Sequence, residues 1–494
     1  MTRRNRAQVP NKKILLVNTN SEKSPYPVPP LGLCLLADTL KKRYDVEIFD
    51  GCFRPTQELV ALVVDTKPDF VGFGIRNIDN IVAGNSVYYI DEIKERFVNP
   101  VRRVIGVPCI AGGSGFSVFP GEILEQLEID YGIVGEGEDA FLALLSALEN
   151  GRDASLIPGV ALRGCGPARQ ALCLRTVDMT VARHADIDKW IDYAPYVQRG
   201  AYPIQTKRGC AHRCVYCTYP LIEGQSYRVR DPEEIAHEID MTQKRLGPIM
   251  FEFVDSTFND PSGHAEAICK NIIKRNIKVR LRTMGINPAK ASKVLFSLMV
   301  AAGFSQIDCT PDTGSPSMLL NLRKNFVLKD LENTAGLIRK FDIPTMWFFI
   351  FGGPGETETT LAETFAFIDR WVHPDDMVYM MAGIRIYPGT ELHRIACEQG
   401  VIDKRVSLLR PVFYVSPTMT KSRIDELILQ ASQTRPNCIT AAESTPPPEM
   451  MGKALDLRKA QGLTEPMFRT LMRIRREMLK QGNQRELNGG GTQI

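Results

Sequence analysis

Short apolar runs alternate with amphipathic stretches along most of this chain. Residues 12–17, 46–49, 70–74, 103–107 and 131–134 read as short, mostly apolar strands, while 31–42 and 59–65 carry helical spacing. Strands alternating with helices predict a parallel, doubly wound, Rossmann-like sheet over residues 1–150. A Pro-rich turn at 24–30 separates its first strand from its first helix. Residues 151–200 lack sustained periodicity and are expected to be a linker with two short strands.

A second series begins near Tyr202. Strands are expected at 249–254, 278–282, 306–309, 344–351 and 377–386, with helices at 232–246, 263–275, 292–302, 328–341 and 358–371. Six βα-like units between 201 and 415 predict an open, partial (β/α)6 TIM-type barrel, whose active site belongs at the C-terminal strand ends. Helical patterns at 422–434 and 465–480, split by the prolines at 446–448, predict a helical C-terminal region over 416–494 with a disordered glycine-rich tail.

Composition narrows the class. An apolar fraction of 44% and a charged fraction of 24% are ordinary for a globular protein, and a net charge of +4 argues for no nucleic-acid partner. The apolar run at 345–351 falls far short of the roughly 20 residues of a membrane span. The basic N-terminus is followed by too short an apolar stretch for a signal peptide. Twelve cysteines, mostly isolated, fit a reducing compartment, so a cytoplasmic location is expected. Cys34, Cys109, Cys269 and Cys397 lie in apolar periodic segments and read as core.

Three of the other cysteines carry the chemistry. Cys210, Cys214 and Cys217 form a C-x3-C-x2-C run directly after the first strand of the second series. That run is one thiolate short of a closed zinc site; three thiolates from one loop suit an iron–sulfur cluster with one iron left open. A zinc knuckle is the competing reading. Glycine-rich stretches follow two N-terminal strands, Gly112-Gly113-Ser114 and Gly135-Glu136-Gly137, where open α/β sheets let a ligand approach the backbone.

With Tyr216 just before its last cysteine, the run resembles the signature of the radical S-adenosylmethionine (SAM) enzymes, and four further stretches extend the likeness. Asp255 and Ser256 end the second barrel strand, where the resemblance implies acceptors for the SAM amino group; Asp255 is otherwise a helix cap or turn residue. Asp312, in Asp312-Thr-Gly-Ser315, stands where the resemblance implies an acid on the SAM ribose. Phe351-Gly352-Gly353-Pro-Gly-Glu356-Thr357 resembles a turn whose backbone lies against the adenosine, and Tyr387-Pro388-Gly389-Thr390 resembles an element that follows the last barrel strand. The N-terminal half, with Pro29-Pro-Leu-Gly32 and both glycine stretches, resembles the cobalamin-binding domain of one branch of the superfamily, so the likeness spans residues 12–415.

The resemblance implies a 4Fe-4S cluster on Cys210, Cys214 and Cys217, SAM at its open iron, and reductive cleavage to a 5′-deoxyadenosyl radical. It further implies cobalamin near Gly112, Gly113, Ser114, Gly135, Glu136 and Gly137. The expected activity is methylation of an unactivated carbon in a small-molecule or lipid substrate, with flavodoxin or ferredoxin as electron donor. Three alternatives stand beside it: radical rearrangement, cyclisation or oxidation without methyl transfer; methylthio-transfer to nucleic acid; and a non-catalytic cobalamin or iron–sulfur sensor. The six histidines begin at His184, so any cobalamin is held without a histidine from its own domain. His212 is expected to face solvent or support the cluster loop. Trp190, Tyr193 and Tyr196 are expected either to line a substrate pocket or simply to pack.

Overall fold

The computed structural model describes residues 11–23, 26–165, 177–179, 186–197, 200–443 and 446–489, with side chains described up to 480. The chain divides into two compact units. One holds the described residues up to 80, 88–178 and 186–197; the other holds 81–87, Met179 and everything from 200 onward.

The first unit is built on a six-stranded sheet of β1 (Lys13–Asn18), β2 (Asp45–Asp50), β3 (Phe70–Gly74), β4 (Cys109–Gly112), β5 (Tyr131–Ile133) and β6 (Val160–Leu162). Their order is β2-β1-β3-β4-β5-β6, parallel except for β6, which runs antiparallel to β5. The first five strands thus follow a doubly wound order whose chain reversal falls between β1 and β3, the place where such sheets bind ligands. Two expectations need correction. Residues 103–107 are not a strand: the helix Asn99–Val104 takes the first two of them, and the strand starts after Pro108. Gly106 and Pro108 break the apolar run, so the pairing with β3 begins at Cys109. The segment 151–200 is not a free linker either. It supplies β6, and Tyr196 lies fully buried with its hydroxyl donating to Asp50 at 2.7 Å.

The second unit carries a seven-stranded, wholly parallel sheet: β7 (Tyr202–Ile204), β8 (Met250–Phe253), β9 (Arg280–Thr283), β10 (Phe304–Asp312), β11 (Thr345–Phe351), β12 (Met377–Ala382) and β13 (Cys438–Thr440), hydrogen-bonded in chain order. The connecting helices begin at clear caps. Asp231 accepts from Glu233 N ahead of Pro232–Leu246, and Ser292 accepts from Leu295 N ahead of Lys293–Ala302. Along β11 the burial alternates strictly. Thr345, Trp347, Phe349 and Phe351 are buried on one face, where Phe367 of the helix Glu358–Trp371 packs on Trp347 and Phe349; Met346, Phe348 and Ile350 are half-buried on the other. An open barrel has this signature, with a sealed outer face and an accessible inner one.

The C-terminal region is not helical throughout, since its residues 438–440 form β13, the last strand of the sheet. The helices that follow, Pro448–Gln461 and Met467–Gly489, pack Met450, Ala454, Leu471, Met472 and Ile474 around Ile439, Met377 and Tyr379. Arg469 pairs with Asp376 at 3.0 Å and Asp342 at 3.1 Å, residues just ahead of β12 and β11. In a parallel sheet those positions mark the N-terminal mouth, so these helices close the bottom of the barrel and leave the C-terminal mouth to the cysteine loop.

Candidate cluster and cofactor site

The cysteine loop leaves the C-terminal end of β7 and is braced along its whole length. Lys207–Arg208 forms an antiparallel ladder with Arg228–Val229. Gly209 follows at φ +95°, where a Cβ would lie 2.0 Å from the Ser226 carbonyl oxygen, so only glycine fits. Cys210 N donates to Gly224 O at 2.9 Å, Val215 N to Leu322 O at 3.1 Å, and Leu392 N to Val215 O at 2.7 Å.

Cys210 is buried, and Cys214 and Cys217 are partly buried. Burial pushes the Cys217 thiol up to about 12, and the neighbouring Cys214 and Cys210 add to the rise; Cys214 is raised chiefly by burial as well. The three sulfurs therefore face one another's fields in a shielded place. Three thiolates from one loop, one to each of three irons, suit a multi-iron cluster.

The carboxylates named from sequence lie in this mouth, each engaged by the chain. Asp255 accepts from Thr206 N (2.8 Å), Thr206 Oγ1 (2.6 Å), Lys207 N (3.2 Å) and Lys207 Nζ (3.3 Å); it caps no helix. Ser256, half-buried, donates to Gly209 O at 3.4 Å. Asp312, at φ +67°, accepts from Tyr216 OH and, at 2.8 Å, from Lys324 Nζ. Burial opposes the Lys324 charge, but Asp312, with Cys214 and Cys217, outweighs it and raises the ammonium's pKa; burial and Asp312 together raise that of the Tyr216 phenol. Glu356 braces its own turn, accepting from Gly352 N at 3.3 Å and from Thr360 Oγ1, and burial lifts its carboxyl to about 7. Pro388 is half-buried ahead of a helix capped by Thr390.

His212 does not face solvent freely. Its Nε2 lies 3.0 Å from Asp260 Oδ2 and 3.2 Å from Tyr227 OH. Sequence reasoning missed Lys207, Asp260 and Lys324, because each acts through a partner at least 12 positions away. A lone lysine or aspartate carries no local signal of that kind.

Below the loop the inner face of the sheet carries unlike side chains. Glu252 and Arg282 pair at 2.8 Å and Gln306 Nε2 lies 3.4 Å from Asp308 Oδ1, on one side; Phe348, Ile350 and Met381 stand on the other. Burial, then Glu252, lifts the Asp308 carboxyl to about 7.

In the first unit, Gly113 and Ser114 are exposed after β4, and Gly135 and Gly137 are half-buried after β5. Ser114 Oγ donates to Arg76 O at 3.3 Å, while Ser117 Oγ donates to Gly113 O at 2.8 Å and accepts from Gly135 N at 2.9 Å, tying the two glycine stretches together. Glu136 turns inward, buried, and accepts from Val177 N at 2.9 Å. What faces outward is mostly backbone, which suits a broad flat cofactor. Trp190, Tyr193 and Tyr196 are engaged by the first unit: Trp190 Nε1 donates to Asp38 at 3.0 Å, and Tyr193 stacks on Tyr196. His184 lies outside the described residues. Cys34, Cys109 and Cys269 are buried as expected, whereas Cys397 is only partly so.

Comparison with known proteins matches this arrangement. Residues 204–368 match the radical SAM superfamily and residues 18–145 the B12 binding domain. The chain thus carries a radical SAM domain preceded by a B12 binding domain. It is 24% identical over 454 residues to a tryptophan 2-C-methyltransferase of Streptomyces laurentii, covering 78% of this chain and 74% of that one. It is 26% identical over 370 residues to an anaerobic magnesium-protoporphyrin IX monomethyl ester cyclase of Rubrivivax gelatinosus, covering 70% and 63%. Its fold matches the radical SAM methyltransferase TsrM of Kitasatospora setae, solved with cobalamin and a 4Fe-4S cluster, at TM-score 0.79 and 23% identity over 96% of this chain and 99% of that one.

Proposed function

We propose that this protein methylates an unactivated carbon of a small-molecule substrate, using a 4Fe-4S cluster, SAM and cobalamin. The observation that carries this reading is the pairing, in one chain, of a three-cysteine loop at the open mouth of a parallel barrel with a glycine-edged doubly wound domain. When bound, the cluster and SAM supply radical chemistry and cobalamin supplies the methyl group; the chain binds, orients and shields.

Cys210, Cys214 and Cys217 would hold the cluster. Ser256, Asp312, the Gly352–Gly353 turn braced by Glu356, and Pro388 border the same mouth and would contact SAM. Tyr216 and Lys324 both donate to Asp312 and would hold its side chain in place for a ribose hydroxyl. The glycine edges at 112–114 and 135–137 would meet cobalamin through backbone. The inner face of the sheet sets apolar side chains beside hydrogen-bonding ones, which suits a compact substrate with a polar group at one side. Among the described residues no helix is long and apolar enough to cross a membrane; a cytoplasmic setting and a flavodoxin or ferredoxin donor belong to this reading.

The test is anaerobic incubation of the loaded enzyme with methyl-labelled SAM and candidate substrates. Label on substrate carbon supports methylation. The likeness to the cyclase favours a second reading, oxidative cyclisation, under which 5′-deoxyadenosine forms and no label is transferred.

A further inference from the structure

The buried charges at the entrance to the cysteine loop have a use that SAM binding does not explain. Two carboxylate oxygens offer about four acceptor positions, and Asp255 has four donors on them, from Thr206 N, Thr206 Oγ1, Lys207 N and Lys207 Nζ. The Asp255 side chain is 0% exposed and that of Lys207 1%. Lys207 Nζ also donates to Phe258 O at 3.3 Å, so the lysine is pinned from two directions on the segment leaving β8. An incoming ammonium would have to displace one of these donors and break into a buried ion pair.

We propose that Asp255 is a positioning residue for the cluster: its carboxylate clamps Thr206 and Lys207, fixes the path into Gly209 and Cys210, and does not contact SAM. The residues beyond the clamp have little freedom of their own. Lys207 and Arg208 are held in their ladder, and Gly209 sits against Ser226 in a conformation only glycine takes up. A fixed Lys207 therefore fixes where the Cys210 thiol can be. Ser256, half-buried beside it, is the member of the Asp255–Ser256 pair left to face a ligand. This inference rests on the cluster assignment above.

The experiment uses the full chain, reconstituted anaerobically, as wild type, Asp255→Asn, Thr206→Val and Ser256→Ala. It measures iron per chain, the rate of iron loss to a chelator, SAM affinity of the cluster-loaded fraction by calorimetry, and melting of the iron-free protein. Supports around a metal site typically change its affinity by about 10–100-fold. Asp255→Asn should accordingly lose iron about tenfold faster or more, while SAM affinity of the loaded fraction stays within about twofold. Thr206→Val should move iron loss the same way by less, and Ser256→Ala should weaken SAM with iron loss unchanged.

Wild-type iron retention in Asp255→Asn overturns the proposal, whether SAM binding weakens about tenfold, as for a ligand, or only melting falls, as for a merely structural pair. If Asp255→Asn does not fold, Thr206→Val decides on the same readings, because it removes one donor and leaves no charge unpaired. Failure of the underlying cluster assignment looks different: the wild type itself would bind no four-iron cluster.

Discussion

The loops that edge the two sheets are built in opposite ways. After β4 and β5 of the first unit the outward surface is mostly glycine backbone, and Glu136 and Glu138 are buried. Around the cysteine loop of the second unit, side chains do the holding: Asp255 on Lys207, Asp260 on His212, and Asp312 on Tyr216 and Lys324. A cofactor that lies flat against a sheet edge needs room for backbone contact. A cluster held by three thiolates needs those thiolates fixed, and buried ion pairs fix them where an unpaired charge would be costly.

The largest effect expected from this contrast follows replacement of Cys210, Cys214 and Cys217 together by alanine. All cluster iron and the associated visible absorbance should be lost, with cobalamin retention unchanged; iron analysis and absorption spectra check both. The reverse separation comes from Gly113→Val. Gly113 sits at φ +109° with a would-be Cβ 2.6 Å from Ile75 O, so strain of roughly 1–3 kcal/mol is expected from the backbone alone. Cobalamin retention should fall and iron per chain should hold; a parallel loss of both would break the comparison.

A smaller, pH-dependent effect tests the side-chain bracing. The Glu356 carboxyl lies at about 7 in the folded chain, above its ordinary 4.5. The folded state thus keeps the proton more tightly, and this contribution is full below about pH 4.5 and lost as pH rises towards 7. The wild-type stability relative to Glu356→Gln should decline across that window by up to about 1.4 kcal/mol per pH unit. Denaturant titrations at several pH values measure it, and a flat difference would remove Glu356 from the account. The last expectation is a null effect: the cob(II)alamin form should show no nitrogen splitting from a protein imidazole, since no histidine precedes His184. Electron paramagnetic resonance reads this directly, and a splitting would mean that a histidine from later in the chain reaches the cobalt.

Local features of the chain determined the βα alternation, most helix bounds and the cluster motif. Pro232–Leu246, Leu328–Phe341 and Glu358–Trp371 fall where spacing placed them, because caps and periodicity act within a few residues. The C-x3-C-x2-C run is legible for the same reason: its ligands share one loop. Tertiary structure decided what periodicity cannot see. It moved the fourth strand past Pro108 to pair with β3, drew 160–162 and Tyr196 into the first unit, and brought 438–440 into the second sheet as its last strand. It also chose the partners of the carboxylates. Asp255 meets Lys207 across 48 positions and Asp312 meets Tyr216 across 96. Such pairs form only when parallel strands bring distant strand ends into one mouth, and no local pattern encodes which donor will stand there.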